Sequence, residues 1–286
     1  MTDKIERASE AEIFEQNNFA RHDFGGYSPA EMCAIVYEPF QEKSPIQLKS
    51  LHADDYTAIP IFNIAKYIIE YIHTNKYVLL TENGEFEPAF EKQILEQRFY
   101  PFCLLEDAEN TEDEFHEYQI ITIARILLIL AKITKKRGGK LTLTPQGELL
   151  MNDNERLLRS LLYKFGYDYN WGYTDDFPNG EIGKFGYGFS IYMLHRYGDT
   201  KRDDSFYMTK YFNAFPDLLS GAHTKMPYPR TDEIESCYSK RTFNRFMSLF
   251  GLIEMEPDTG FDINNIEKSE LLDKMFYFIP HTIFRD

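Results

Sequence analysis

The chain has one tryptophan in 286 residues, three cysteines, and few cations for its acids: 31 Lys and Arg against 46 Asp and Glu, a formal charge of -15. Each shortage excludes something. Cys33, Cys103 and Cys237 are odd in number and far apart with no C-x-x-C spacing, so neither a disulfide framework nor a zinc site is expected, and a reducing cytoplasm fits. The acid excess repels phosphate at long range, so any site for nucleic acid or anionic lipid has to be local. No uncharged apolar run reaches membrane-spanning length; the longest candidate, residues 120–133, is interrupted by Arg125 and Lys132 and reads as a buried helix. The first fifteen residues are charged throughout and lack the apolar centre of a signal peptide.

Catalytic spacing is missing as well. Histidines 22, 52, 73, 116, 195, 223 and 281 never fall at i, i+4, so no metal-ligand pattern is present. There is no G-x-S-x-G, and no cysteine has a histidine close by in sequence. Gly183-x-x-Gly186-x-Gly188 has neither the G-x-G-x-x-G order nor a Lys-Ser/Thr ending, and reads as close packing among aromatic rings. The acidic pairs Asp54-Asp55, Asp175-Asp176 and Asp203-Asp204 read as water-facing loops, although Asp175-Asp176 lies close to Trp171. No catalytic residue, cofactor or metal is assigned.

What the chain does have is an ordinary core fraction, 43% hydrophobic with 27% charged residues, and many rings, 24 Phe and 20 Tyr. That suits one large or two to three small globular domains with bulky packing interfaces. Two segments spell the same phrase, Leu80-Thr81-Glu82-Asn83-Gly84-Glu85 and Leu143-Thr144-Pro145-Gln146-Gly147-Glu148. Each follows an apolar-periodic stretch and a β-prone run, residues 77–80 and 140–143. In both, the threonine is a helix cap and the glutamate sits near the positive end of the helix it starts. A duplicated module of helix, strand, turn and helix is expected over 61–99 and 120–165.

The remaining segments frame these two. Residues 1–26 form an arm or short helix before a turn; Ser28-Pro29-Ala30-Glu31 starts a helix with a capping box, carrying Met32, Ile35 and Val36 inward. Ile61, Ile64, Ala65, Ile68, Ile69 and Ile72 repeat at helical spacing. The seven acids between 106 and 117, with no Lys or Arg among them, mark a solvated loop or linker. Alternating Tyr167, Tyr169, Trp171 and Tyr173 predict an extended segment with its rings on one covered face. Helices are expected over 189–196, 206–219 and 239–250. They are followed by a hairpin, 252–255 and 261–263 around a 257–260 turn, and by a last helix capped by Ser269, a possible third, diverged copy.

The expected fold is mainly α with small β-hairpins. Its divisions are an N-terminal arm and helix over 1–60, a first module over 61–116, a second with the aromatic tract over 117–198, and a C-terminal helical module over 199–286. The helix, hairpin and helix order with L-T-x-x-G at the hairpin exit resembles the wing region of winged-helix proteins, many of them bacterial transcription regulators. Together with Ser28-Pro29-Ala30-Glu31-Met32, Tyr37-Glu38-Pro39-Phe40 and Phe250-Gly251-Leu252-Ile253-Glu254, the two phrases, with Thr81, Gly84, Thr144 and Gly147 as their structural residues, resemble a family of uncharacterised bacterial proteins. That resemblance implies tandem winged-helix-like modules in one array, and brings no activity.

The candidate site is basic. Over 120–165, nine cations stand against three acids, contrary to the whole-chain balance, and Lys132, Lys135, Lys136, Arg137 and Lys140 cluster about a hairpin tip turned at Gly138-Gly139. Such a tip sits on a phosphate backbone in wings; otherwise it is a solvated turn or docks on the acidic 106–117 stretch. The functional expectation is a non-enzymatic, macromolecule-binding protein whose partner is a protein or a second copy. The alternatives are a nucleic-acid-binding regulator using the basic hairpin 132–140 and an enzyme whose site is assembled from distant residues.

Overall fold

The computed structural model describes residues 9–100, 111–175, 177, 180–219, 231–254 and 265–282. It is mainly helical with two small antiparallel sheets, as expected for the fold class. Helix α1 (Glu10–Asn18) and α2 (Pro29–Tyr37) both open on a Ser/Glu capping box; in α2 the Ser28 hydroxyl accepts from the Glu31 N–H and Pro29 takes the first turn. Met32 and Ile35 are buried. Strand β1 (Ile46–Leu48) follows. Helix α3 (Pro60–Asn75) buries the isoleucine stripe read from the sequence and ends on Lys76 in the left-handed region.

Strand β2 (Val78–Leu79) then leads through a turn to α4 (Pro88–Leu95), and α5 (Thr111–Leu130) leads to the hairpin of β3 (Thr134–Arg137) and β4 (Lys140–Leu143). The sheet order is β2-β4-β3, all antiparallel. Consequently β2, preceding the first phrase, hydrogen-bonds to β4, preceding the second, and the expected division at 116/117 falls inside α5. The two stretches share one sheet. On its core side Val78 and Leu141 are buried, with α3 packed against β2 and β4 and α5 against β3.

The two phrases take different structures. Thr144 is followed by Pro145, suited to a first helical turn, and its hydroxyl accepts from the Gly147 N–H at 3.1 Å to cap α6 (Pro145–Leu150). Thr81 is followed by Glu82-Asn83-Gly84. There Gly84 has φ 82°, its N–H donates to the Thr81 carbonyl, and a bridge joins Leu80 to Phe86. The Asn-Gly pair closes a tight turn instead of opening a helix. At Thr144 a full hairpin precedes and two helices follow, so the element orders of 61–99 and 120–165 differ.

Helix α7 (Asn154–Tyr167) is capped by Asp153 and buries Leu157, Leu158, Leu161, Leu162 and Phe165. The extended segment expected from the tyrosine alternation is absent: α7 runs through Tyr167, and Trp171–Thr174 is a 3-10 turn. The Asn170 side chain accepts from the Gly172 N–H, a local bond that competes with a strand ladder. The rings therefore diverge: Tyr169 and Trp171 are buried, Tyr173 is exposed.

Helix α8 (Tyr187–Tyr197) starts after Gly186 and α9 (Asp204–Ala214) after an Asp203 cap. Helix α10 (Thr231–Ser239) runs without interruption into a wider, i to i+5 bonded stretch over Lys240–Met247. The expected start at Ser239 is thus mid-helix. Leu252–Glu254 meets 267–269 through the Ile253–Lys268 bridge and the Ser269 N–H to Leu252 carbonyl bond. The 257–260 turn and the 261–263 strand lie outside the described residues, as do residues 106–110 of the acidic stretch. Helix α11 (Glu270–Met275) has no side-chain cap from Ser269, whose hydroxyl donates to the Gly251 carbonyl at 2.6 Å. Strand β5 (Phe276–Phe278) pairs antiparallel with β1, Ile46 opposite Phe278.

Candidate interaction surface

The hairpin β3–β4 is closed by Gly138 and Gly139, at φ 57° and 68°. Positive φ at both positions is the two-residue turn that matches strand twist, and glycine takes it without a side-chain clash. The register sets Lys135 opposite Thr142, Arg137 opposite Lys140, and Leu79 of β2 on the other flank of Lys140. Side chains alternate along strands. One face of the sheet therefore carries two rows, Leu79–Lys140–Arg137 and Tyr77–Thr142–Lys135, while Val78 and Leu141 point to the core.

This outer face is open. Leu79 is 52% exposed and Tyr77 39%, and Lys135 and Arg137 are exposed. Lys140 is half-buried, its ammonium 3.7 Å from the centre of the Tyr77 ring. An apolar column, Tyr77 and Leu79, thus stands beside a triangle of three cations.

The other two basic candidates lie off this face. Lys136 is on the opposite side of β3 and stretches over Gly84, whose missing side chain leaves room for it. Lys132 sits in the turn between α5 and β3 at φ 55°, exposed, its carbonyl accepting from the Thr144 hydroxyl at 2.6 Å. The structure thus brings Lys135, Arg137 and Lys140 together and leaves Lys132 and Lys136 apart. Sequence reasoning missed Tyr77 and Leu79. A signal was available, since residues 77–80 are apolar at both parities and a strand with one core face must then show apolar side chains on the other.

Glu82, Glu85 and Glu87 are exposed just beyond β2, and the sequence of α5 starts acidic, with Glu112, Asp113, Glu114 and Glu117 and no Lys or Arg before Arg125. Arg125 is itself buried, 5.9 Å from the Phe86 ring centre. Burial lowers its pKa against the opposing effects of Tyr173, Glu85 and Glu91.

A second charged cluster is buried. Asp175, taken from sequence as a water-facing loop acid, has a side chain only 2% exposed, between Arg241 and Arg245. Arg241 donates to both carboxylate oxygens (2.9 and 2.8 Å) and to the Ile182 carbonyl; Arg245 donates to Asp175 at 2.6 Å and to the Trp171 carbonyl at 2.9 Å. Burial alone would raise the Asp175 pKa, but the two guanidiniums hold it below the ordinary value. Both arginines come from the widened stretch of helix, which aims them at one carboxylate. With every group enclosed, the cluster ties the loop after Trp171 to that helix.

Among the described residues no group of His, Cys, Asp and Glu is arranged to hold a metal, and no helix is long and apolar enough to cross a membrane. Comparison of the chain with family models, curated proteins and solved structures returns no match.

Proposed function

We propose that this chain is a non-enzymatic docking protein that binds another protein through the outer face of the β2-β4-β3 sheet. The element order over residues 60–143, helix, strand, helix, helix, strand, strand with the first strand beside the last, supports reading this stretch as a single winged-helix-like unit. In that reading α5 occupies the groove-reading position and β3–β4 is the wing. An α5 that is buried or half-buried at every residue from 118 to 130, and whose opening sequence is acidic, speaks against insertion into a nucleic-acid groove. The observation that carries the protein reading is the exposed apolar column of Tyr77 and Leu79 beside Lys135, Arg137 and Lys140. Interfaces combine apolar and aromatic side chains with arginine, whereas a phosphate backbone gains nothing from Leu79.

The nucleic-acid alternative keeps one observation in its favour: Lys132, Lys135, Lys136 and Arg137 make no ion pair among the described residues. Both readings meet one experiment. A photo-crosslinking residue at Leu79, in cells that make the protein, is expected to join it to a discrete protein, with the adduct lost in Lys135→Glu/Arg137→Glu. Adducts to nucleic acid alone, or no adduct, overturn the proposal.

A further inference from the structure

The dimensions of the outer face say more about the occupant, given the reading of that face as a protein-docking site. Three strands lie side by side about 4.8 Å apart, and alternate residues on one strand are about 6.8 Å apart. The centre of the apolar column on β2 is therefore about 10 Å from Lys135 and Arg137 on β3, with Lys140 and Thr142 between. Ten ångströms is the width of an α-helix with its side chains. A helix lying along the strands places one flank over Tyr77 and Leu79 and the other over the cations. An added strand fits less well. The Ile133 carbonyl, just before β3, accepts from the Thr144 N–H across the hairpin, so two and four residues on Lys135 and Arg137 also point their backbone groups at β4, leaving Thr134 and Lys136 for the outer edge. Thr134 is only 2% exposed, which closes half of that edge.

From this we infer that the occupant of the β2-β4-β3 face is an amphipathic helix of a partner protein, with leucine-type side chains on one flank for Tyr77 and Leu79 and carboxylates on the other for Lys135, Arg137 and Lys140. Charge complementarity sets the sign. These cations are an island in an acidic chain, so an acidic helix is drawn to this face and repelled elsewhere, while a basic helix is misdirected to the rest of the surface. The Tyr77–Lys140 contact holds the ammonium over the ring and presents both groups in fixed positions.

The probe is a fluorescein-labelled, helix-stapled peptide with leucines at i and i+4 and glutamates on the adjoining flank, titrated with the full chain and followed by anisotropy. Binding is expected, weakened at least tenfold in Leu79→Ser and in the double variant Arg137→Glu/Lys140→Glu, and restored to that double variant by a peptide with lysine for glutamate. These positions are on the surface, and circular dichroism checks that the variants fold. Peptide binding unaffected by both variants, or no binding while Leu79 still crosslinks to a protein, overturns the helix inference and leaves the docking reading standing. Preferential binding of oligothymidylate over the peptide, competed by salt, overturns both.

Discussion

Arg241 and Asp175 form a two-pronged ion pair, at 2.9 and 2.8 Å, with a guanidinium that has no exposed surface. A pair so enclosed is weak evidence of net stability, because both charges lose water, but breaking it is costly, because the survivor stays buried. Asp175→Asn is therefore expected to cost about 3–5 kcal/mol in urea unfolding followed by tryptophan fluorescence. A loss under about 1 kcal/mol would show that water or another acid replaces the carboxylate.

The same pair sets an acid dependence. The folded-state pKa of Asp175 lies below the ordinary value: burial raises it, and Arg241 and Arg245 outweigh burial. Asp273 is shifted down in the same way, burial being outweighed by Lys268 and His195. A lowered carboxyl pKa contributes stability that is present above the unfolded value, about 3.9, and is lost as pH falls through the folded one. Unfolding free energy should therefore fall as pH drops below about 5, and the fall should be shallower in Asp175→Asn. Asp204 and Glu91 work in the opposite sense, because burial raises both, and they offset part of the slope. An acid limb equally steep in Asp175→Asn removes this residue from the account.

Trp171 is 1% exposed, and its indole N–H donates to the Phe165 carbonyl at 2.8 Å. Its ring packs against Phe165 and Phe246. Its emission should be blue-shifted and little quenched by iodide, and Trp171→Ala should cost about 3–5 kcal/mol. Free-tryptophan-like emission from the folded chain would contradict this packing.

Two glycines separate conformation from contact. Gly138, at φ 57°, has open space where a side chain would go; Gly251, at φ 67°, would set a Cβ 2.2 Å from the Ala58 carbonyl oxygen. Gly138→Ala should cost only the left-handed penalty, about 1–2 kcal/mol, while Gly251→Ala adds a backbone clash and should cost clearly more. Equal losses in thermal unfolding would mean that the 58–59 backbone moves aside freely.

Legibility in the sequence followed the range of the forces involved. The isoleucine stripe of α3, the Ser28 and Glu31 cap, the Gly138-Gly139 hairpin tip and the mainly helical class were readable because each is decided within one or two turns of chain, by side-chain periodicity or by backbone sterics. The basic hairpin was readable too, as a count of charges. Which of its five cations share a face was not, since only strand register places Lys135, Arg137 and Lys140 on one face and turns Lys136 to the other.

Tertiary structure decided the rest. The same phrase became a turn at Thr81 and a helix cap at Thr144 because the residues that follow differ and because β2 and β4 meet in one sheet. Alternating rings at 167–173 read as a strand, yet the core under α7 and the widened helix at 240–247 take Tyr169 and Trp171 inward and leave Tyr173 outside. Asp175 read as a surface acid because adjacent acids in a loop usually face water; its two arginines lie more than sixty residues away. Local sequence therefore determined the elements and the charge of the hairpin. Only packing between distant segments determined which side chains meet, which are buried, and which remain exposed, because burial and register depend on what the rest of the chain covers.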